Sequence, residues 1–322
     1  MKNEIIYSTT FVLFLMSYCL QPLIIDVIKY NGCANSSTFI FLLPHYFSMI
    51  LVGFLPRKEK LKNCKWFRIF IISVVDLINQ VLKKVGLIYA GSSLYVIIDS
   101  STLIFTAMWR RILLKKKVDN YQLLGILLVT LGIAVKSNNL QVKLTKDEII
   151  GAILIINSNI LMGLTFVLNE KFMSIMEGPN IVCLMGIFSF FFVFIWTCIW
   201  TVPNFDHLIV QNIKRHNGNI NIIILSFLGL FFFNFMTSST LWYIMKISGS
   251  LTIGILKGLK VAIIFLFSHI FFCKQDPRQC LNTYSSFSVI FCILGVLIYS
   301  YNEYLKIISE KVIMYRKSSL VL

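Results

Sequence analysis

The sequence predicts an all-α integral membrane protein with ten transmembrane helices, arranged as two inverted five-helix repeats. Composition is the first reason. Hydrophobic residues make up 57% of the chain and charged ones 14%, at a mean hydropathy of +0.79, whereas soluble domains run near about 45–50% apolar and about 25% charged. The second is that the apolar residues gather into ten stretches approaching or exceeding the roughly 20 residues that a bilayer core requires. The third is that the two halves of the chain align with each other.

In chain order the stretches are 5–28, 38–55, 67–89, 92–114, 121–138, 148–169, 180–202, 221–244, 248–272 and 281–302. The first could pass for a signal peptide. No small-residue cleavage site follows it, so it is expected to remain as a transmembrane helix. The second is short and contains Pro44; with Pro22 in the first, it is a place for a kink or hinge. Segments between the stretches run to 18 residues at most, which leaves no room between them for an appended catalytic domain.

Thirty Lys and Arg against 14 Asp and Glu give a net charge of +16. In a soluble chain that excess would suggest nucleic acid, but no zinc spacing or base-stacking module accompanies it. Basic residues collect in cytoplasmic loops of membrane proteins. With the N-terminus in the cytoplasm, the segments on that side carry 18 Lys and Arg against 8 opposite. Both termini are therefore expected in the cytoplasm. Asn35-Ser36-Ser37 is an N-glycosylation sequon in the first lumenal loop, and Cys273 and Cys280 flank a short loop where they can pair if it faces an oxidising lumen.

A shift of 158 positions lays Asp76 on Asn234, Gly91 on Gly249, Ser92 on Ser250, Asp99 on Lys257 and Thr102 on Lys260. Five helices per half is an odd number, so the copies must lie in opposite orientations. The two units are expected at 1–140 and 141–322, with a substrate site between them near the midplane.

Charges inside a bilayer are costly and mark pathways. Asp76, Asn79, Gln80 and Lys83 form a polar stripe at helical spacing on the third helix, and such a face does not look at lipid. Asp99 shares a face with Thr102 and Thr106 on the fourth; it can pair with Lys257 transiently, carry a proton, or sit in a permanent Asp–Lys bridge. Lys257 and Lys260 lie one turn apart on the ninth, beside the close-packing Gly254 and Gly258. They read as an anion site or as a structural ion pair. Asn157 and Asn159 on the sixth can hydrogen-bond solute or neighbouring helices. Asn234 and Ser238, repeat-mates of Asp76 and Gln80, are cavity candidates, and His45 can sense pH or be a hydrogen-bonded interfacial residue. Lys84 is off the stripe and near a helix end, where snorkelling accounts for it.

Asp76, IYAGSSLYVIIDSSTLIFT (88–106), GAILIINSNILMGLTFVLNEKFM (151–173) and FFNFMTSSTLWYIMKISGSLTIGILKGLK (232–260) resemble the drug/metabolite transporter superfamily. The likeness is to the F-type branch of solute carrier family 35, which is also similar to the chloroquine-resistance transporter. The resemblance implies ten helices in two inverted repeats and attaches Glu170 and Lys171 to a family motif at the end of the sixth helix. It also implies a Gln and an Arg in the fourth helix, where this chain reads Tyr95-Val-Ile-Ile-Asp99, so no cargo is carried over.

The expected function is secondary transport of a small polar or charged metabolite across an intracellular membrane (Golgi, vacuole or lysosome-like), with the plasma membrane left open. The expected mechanism is alternating access, with exchange or proton coupling. An integral membrane enzyme on a lipid-linked substrate and a channel are the alternatives. The first would need clustered acid, base or metal ligands, and no P-loop, GxSxG or HExxH is present. No cofactor or metal is expected. The expected partners are a small-molecule solute and the lipid bilayer, with a homodimer left open.

Overall fold

The computed structural model of the chain describes residues 2–55, 66–113, 115, 120–138, 145–173, 175–274, 280, 283–284, 286–291, 293–295, 297–298 and 301; the side chains of 2–8 and 245–259 are among those outside the described residues. Every described element is helical. Helix α1 covers Lys2–Tyr30, a 3₁₀ turn at Ile40–Leu42 leads into α2 (Leu43–Val52), and α3 (Trp66–Asp99), α4 (Thr102–Leu113), α5 (Asn120–Asn138) and α6 (Lys146–Met173) follow. Helix α7 (Gly178–Trp196) continues through π turns at Thr197–Thr201 and Asp206–Val210 into the short α8 (Gln211–Arg215), and α9 runs Ile220–Phe272.

Thr9–Tyr30, Lys146–Met173, Gly178–Thr201 and Ile220–Ile244 are long and apolar enough to cross a membrane. They present large side chains outward: Phe191, Ile199, Leu225 and Leu228 are each more than 60% exposed. Lipid is the solvent such faces require. The chain is an all-helical, multi-pass membrane protein.

Helix α3 packs along α6, α1 along α9, and α2 against both α7 and α9. Small residues let these backbones touch, as membrane helices do in place of a hydrophobic drive. A Cβ added to Gly151 of α6 would lie 2.8 Å from Ala90 N and 2.9 Å from Gly86 O of α3.

Several stretches differ from the expected rods. Gly91 interrupts α3 at φ 75°, ψ 165°, at the point where the 67–89 and 92–114 stretches are expected to part. The 92–114 stretch is itself broken: Ser100 and Ser101 form a turn between α3 and α4. Pro44 does not kink a longer helix; it sits in the first turn of α2, where its missing N–H costs nothing. Helix α9, at 53 residues, would be about 80 Å long if straight. Yet Thr237 bonds Ser17 and Lys260 stacks on Tyr18. A straight helix would hold Thr237 and Lys260 about 35 Å apart, so the chain turns back between them.

Two loops are fastened. Asn35 Oδ1 accepts from Ser37 N at 3.0 Å and Trp196 Nε1 donates to Ser37 O at 3.1 Å, tying the sequon loop to α7. Cys273 and Cys280 form a disulfide just past α9.

Gly91→Ala tests the kink. Its backbone region is open essentially to glycine alone, so the substitution is expected to cost about 1–3 kcal/mol, read as a lowered thermal unfolding temperature in detergent.

Candidate functional site

The kink and the break deliver Asp99 to the protein interior. At Gly91 a new helical segment begins, and Ser92 N donates to Asp26 Oδ2 of α1 at 3.2 Å, which caps one of the amides that a helix start leaves unpaired. Ser92 and Ser268 share a hydroxyl contact of 3.2 Å, so α1, α3 and α9 meet there. Eight residues after Gly91 the segment ends at Asp99. Asn159 of α6 holds that end: Nδ2 donates to Ile98 O at 2.8 Å and to Ser101 Oγ at 3.0 Å, and Oδ1 accepts from Thr102 Oγ1 at 3.1 Å. Thr102 also donates to Asp99 O at 2.6 Å. One asparagine thus serves the polar groups that the break exposes, the condition for irregular backbone at membrane depth.

Asp99 then receives two ammonium groups. Lys83 Nζ lies 3.0 Å from Oδ1 and Lys260 Nζ 3.2 Å from Oδ2; all three side chains are at most 8% exposed. Lys260 Nζ also stands 3.7 Å from the ring centre of Tyr18 and 5.3 Å from that of Tyr95, where the ring quadrupole supports a cation.

Beside this cluster is a cavity of about 120 Å³. Asp76, Gln80, Lys83 and Lys84 from α3 and Asn234, Ser238 and Lys260 from α9 line it. Gln21, from the Gln21-Pro22 step of α1, lines it too and donates to Thr237 Oγ1 at 2.7 Å. His45 of α2 contributes its ring, with Nδ1 2.9 Å from Asn234 Oδ1, a contact that requires the proton on Nδ1. Phe14, Leu87, Phe166 and Trp242 supply apolar wall.

Of the residues expected at the site, Asp76, Gln80, Lys83, Asn234, Ser238 and Lys260 are brought together around this cavity, with Asp99 behind it. Asn79 belongs elsewhere: it accepts from Ser158 Oγ at 2.7 Å and donates to Met162 Sδ at 3.1 Å, joining α3 to α6. Thr102 is spent on the helix break. Asn157 is exposed on the outer face of α6 and bonds Ile153 O of its own helix. The side chain of Lys257, with Gly254 and Gly258, lies outside the described residues. Lys84 does not snorkel: it is 6% exposed and lines the cavity, because α3 continues through Gly91 instead of emerging at a membrane surface. Glu170 pairs with Arg110 of α4 at 3.7 Å.

Sequence reasoning passes over Asp26, Tyr18 and Tyr95. Asp26 can be found, as an acidic residue inside the first apolar stretch. The tyrosines carry no such signal, since aromatics abound in the apolar stretches.

Fold and site together define a helical membrane protein with a charged cavity among its helices. The pattern of the EamA-like transporter family matches residues 6–137. A Schizosaccharomyces pombe protein, "Uncharacterized protein C12G12.12", is 25% identical over 124 residues, which are 38% of this chain and 38% of that protein. A solved structure, described as a crystal structure of a protein, superposes with a TM-score of 0.61 at 11% identity, covering 90% of this chain and 96% of that one; it speaks for the fold alone.

Asn159 and Asn157, two positions apart, test the helix-break assignment. Asn159→Ala leaves buried polar groups unserved and is expected to cost about 1–3 kcal/mol for each. Asn157→Ala is expected to stay within about 0.5 kcal/mol of wild type. Thermal unfolding of the two purified variants compares them.

Proposed function

We propose that the protein is a secondary transporter that moves a small polar or charged metabolite across a membrane. The cavity carries this reading. It gathers Asp76, Gln80, Lys83 and Lys260 around open volume in a bundle whose outer faces are apolar. Charged groups at that depth, turned from lipid toward a cavity, are the mark of a solute path. The match of residues 6–137 to a family described as transporters supports the same conclusion.

In this reading the two units, 1–140 and 141–322, are inverted repeats that rock about the cavity in alternating access. The match to 6–137 fits the limits of the first unit, and α3 and α9, which supply most of the polar lining, stand one in each. The broken helix at Asp99 is a feature of carriers that place discontinuous helices at the midplane. Membership of the solute carrier 35 F-type branch, exchange or proton coupling, cytoplasmic termini and residence in an intracellular membrane belong to the same proposal. They rest on the sequence likeness and the Lys and Arg distribution.

Reconstitution tests it. Liposomes containing the full chain are offered a mixed metabolite pool under an imposed pH gradient, and retained solutes are identified by mass spectrometry. Wild type is expected to retain at least one solute above empty liposomes, with the retention reduced at least tenfold in Lys260→Gln. Retention no different from empty liposomes contradicts the reading.

A further inference from the structure

Among the described residues that line the cavity, ammonium groups outnumber carboxylates. Lys83, Lys84 and Lys260 bring three ammonium groups, and Asp76 and Asp99 bring two carboxylates. Asp99 is already committed to Lys83 and Lys260 at 3.0 and 3.2 Å. Lys84 is 6% exposed and, among the described residues, meets no carboxylate within ion-pair distance and makes no hydrogen bond. Lys83 and Lys260 repel it and Asp99 attracts it. A buried ammonium without a counter-charge is costly. Lys84 lines the cavity.

Asp76 does not quench it. That carboxyl is 5% exposed and lies among Tyr46, Asn79 and Gln80, and among the described residues no ion pair joins it to Lys84. The cavity wall offers hydrogen-bonding side chains (Gln80, Asn169, Thr237) and apolar ones (Leu87, Phe166, Trp242). That mixture accommodates an acid group on a compact organic body.

We propose that Lys84 is the docking residue for the acid group of a small organic anion. The proposal rests on the transporter reading for its consequence, since it names the class of cargo, but binding is measurable without transport. Lys83 and Lys260 are less suited to the role because each is already in ion-pair contact with the shared Asp99. A cation there would add to the repulsion among the lysines.

The test is ligand-induced thermal shift on the full chain in detergent, with three isosteric probes: benzoate, benzyl alcohol and benzylamine. Benzoate is expected to raise the unfolding temperature of wild type and of Lys84→Arg, and the alcohol and the amine to leave it unchanged. Lys84→Met is expected to lose the benzoate shift while unfolding at a higher temperature than wild type without ligand, because an unpaired buried charge has been removed. A structural ion pair at Lys84 would give the opposite sign for that last result. A benzoate shift that survives Lys84→Met, a shift produced by benzylamine, or no benzoate shift in wild type overturns the proposal. Intact binding together with no uptake into liposomes would instead sink the transporter reading and leave this one standing.

Discussion

A single carboxylate shared by two buried ammonium groups is the interaction on which the rest of the structure depends. Lys83 and Lys260 come from helices far apart in sequence, and both are buried: their side chains are 8% and 2% exposed. Left alone, either would carry a desolvation penalty of several kcal/mol. Asp99 answers both, one oxygen to each. The rings of Tyr18 and Tyr95 add a second kind of support on Lys260 that needs no further negative charge.

Much of the backbone is arranged to make that contact. Asp99 reaches the interior because the chain bends at Gly91 and stops at Ser100, and both irregularities leave polar backbone that lipid cannot satisfy. Asp26 serves the first and Asn159 the second. Lys260 arrives because α9 turns back on itself, which returns the chain to α1 twice, at Ser17 and at Tyr18. Close backbone contact between α3 and α6 at Gly86 and Gly151 brings Asn159 within reach of the break. The cavity is what remains between these constraints. Lys84 lines it without an ion pair to Asp99 among the described residues.

Most of this is legible from the sequence at the level of composition and hardly at the level of geometry. Apolar length locates α1, α6, α7 and the first part of α9, because hydropathy measures what a membrane span needs. The polar stripe on α3 is visible because four polar residues at helical spacing inside an apolar stretch can only be buried against protein or line a cavity. The break at Ser100-Ser101 is not, since serine is tolerated in helices and the signal is a backbone event. Asn157 and Asn159 look alike in sequence, yet two helical steps rotate a side chain by about 200°, so one faces outward and the other crosslinks the break. Lys84 is misread from sequence for a related reason: its distance from the end of an apolar stretch says nothing about whether that end meets a membrane surface or another helix.

Thermal unfolding of Asp99→Asn, Lys83→Gln and Lys260→Gln, singly and combined in the purified protein, tests the shared carboxylate most directly. If Asp99 is the counter-charge that both lysines share, Asp99→Asn is the most damaging single change, with a loss of about 3–5 kcal/mol. The triple variant, which has no charge left to bury in this cluster, then recovers much of that loss. Losses that simply add across the three positions would contradict it.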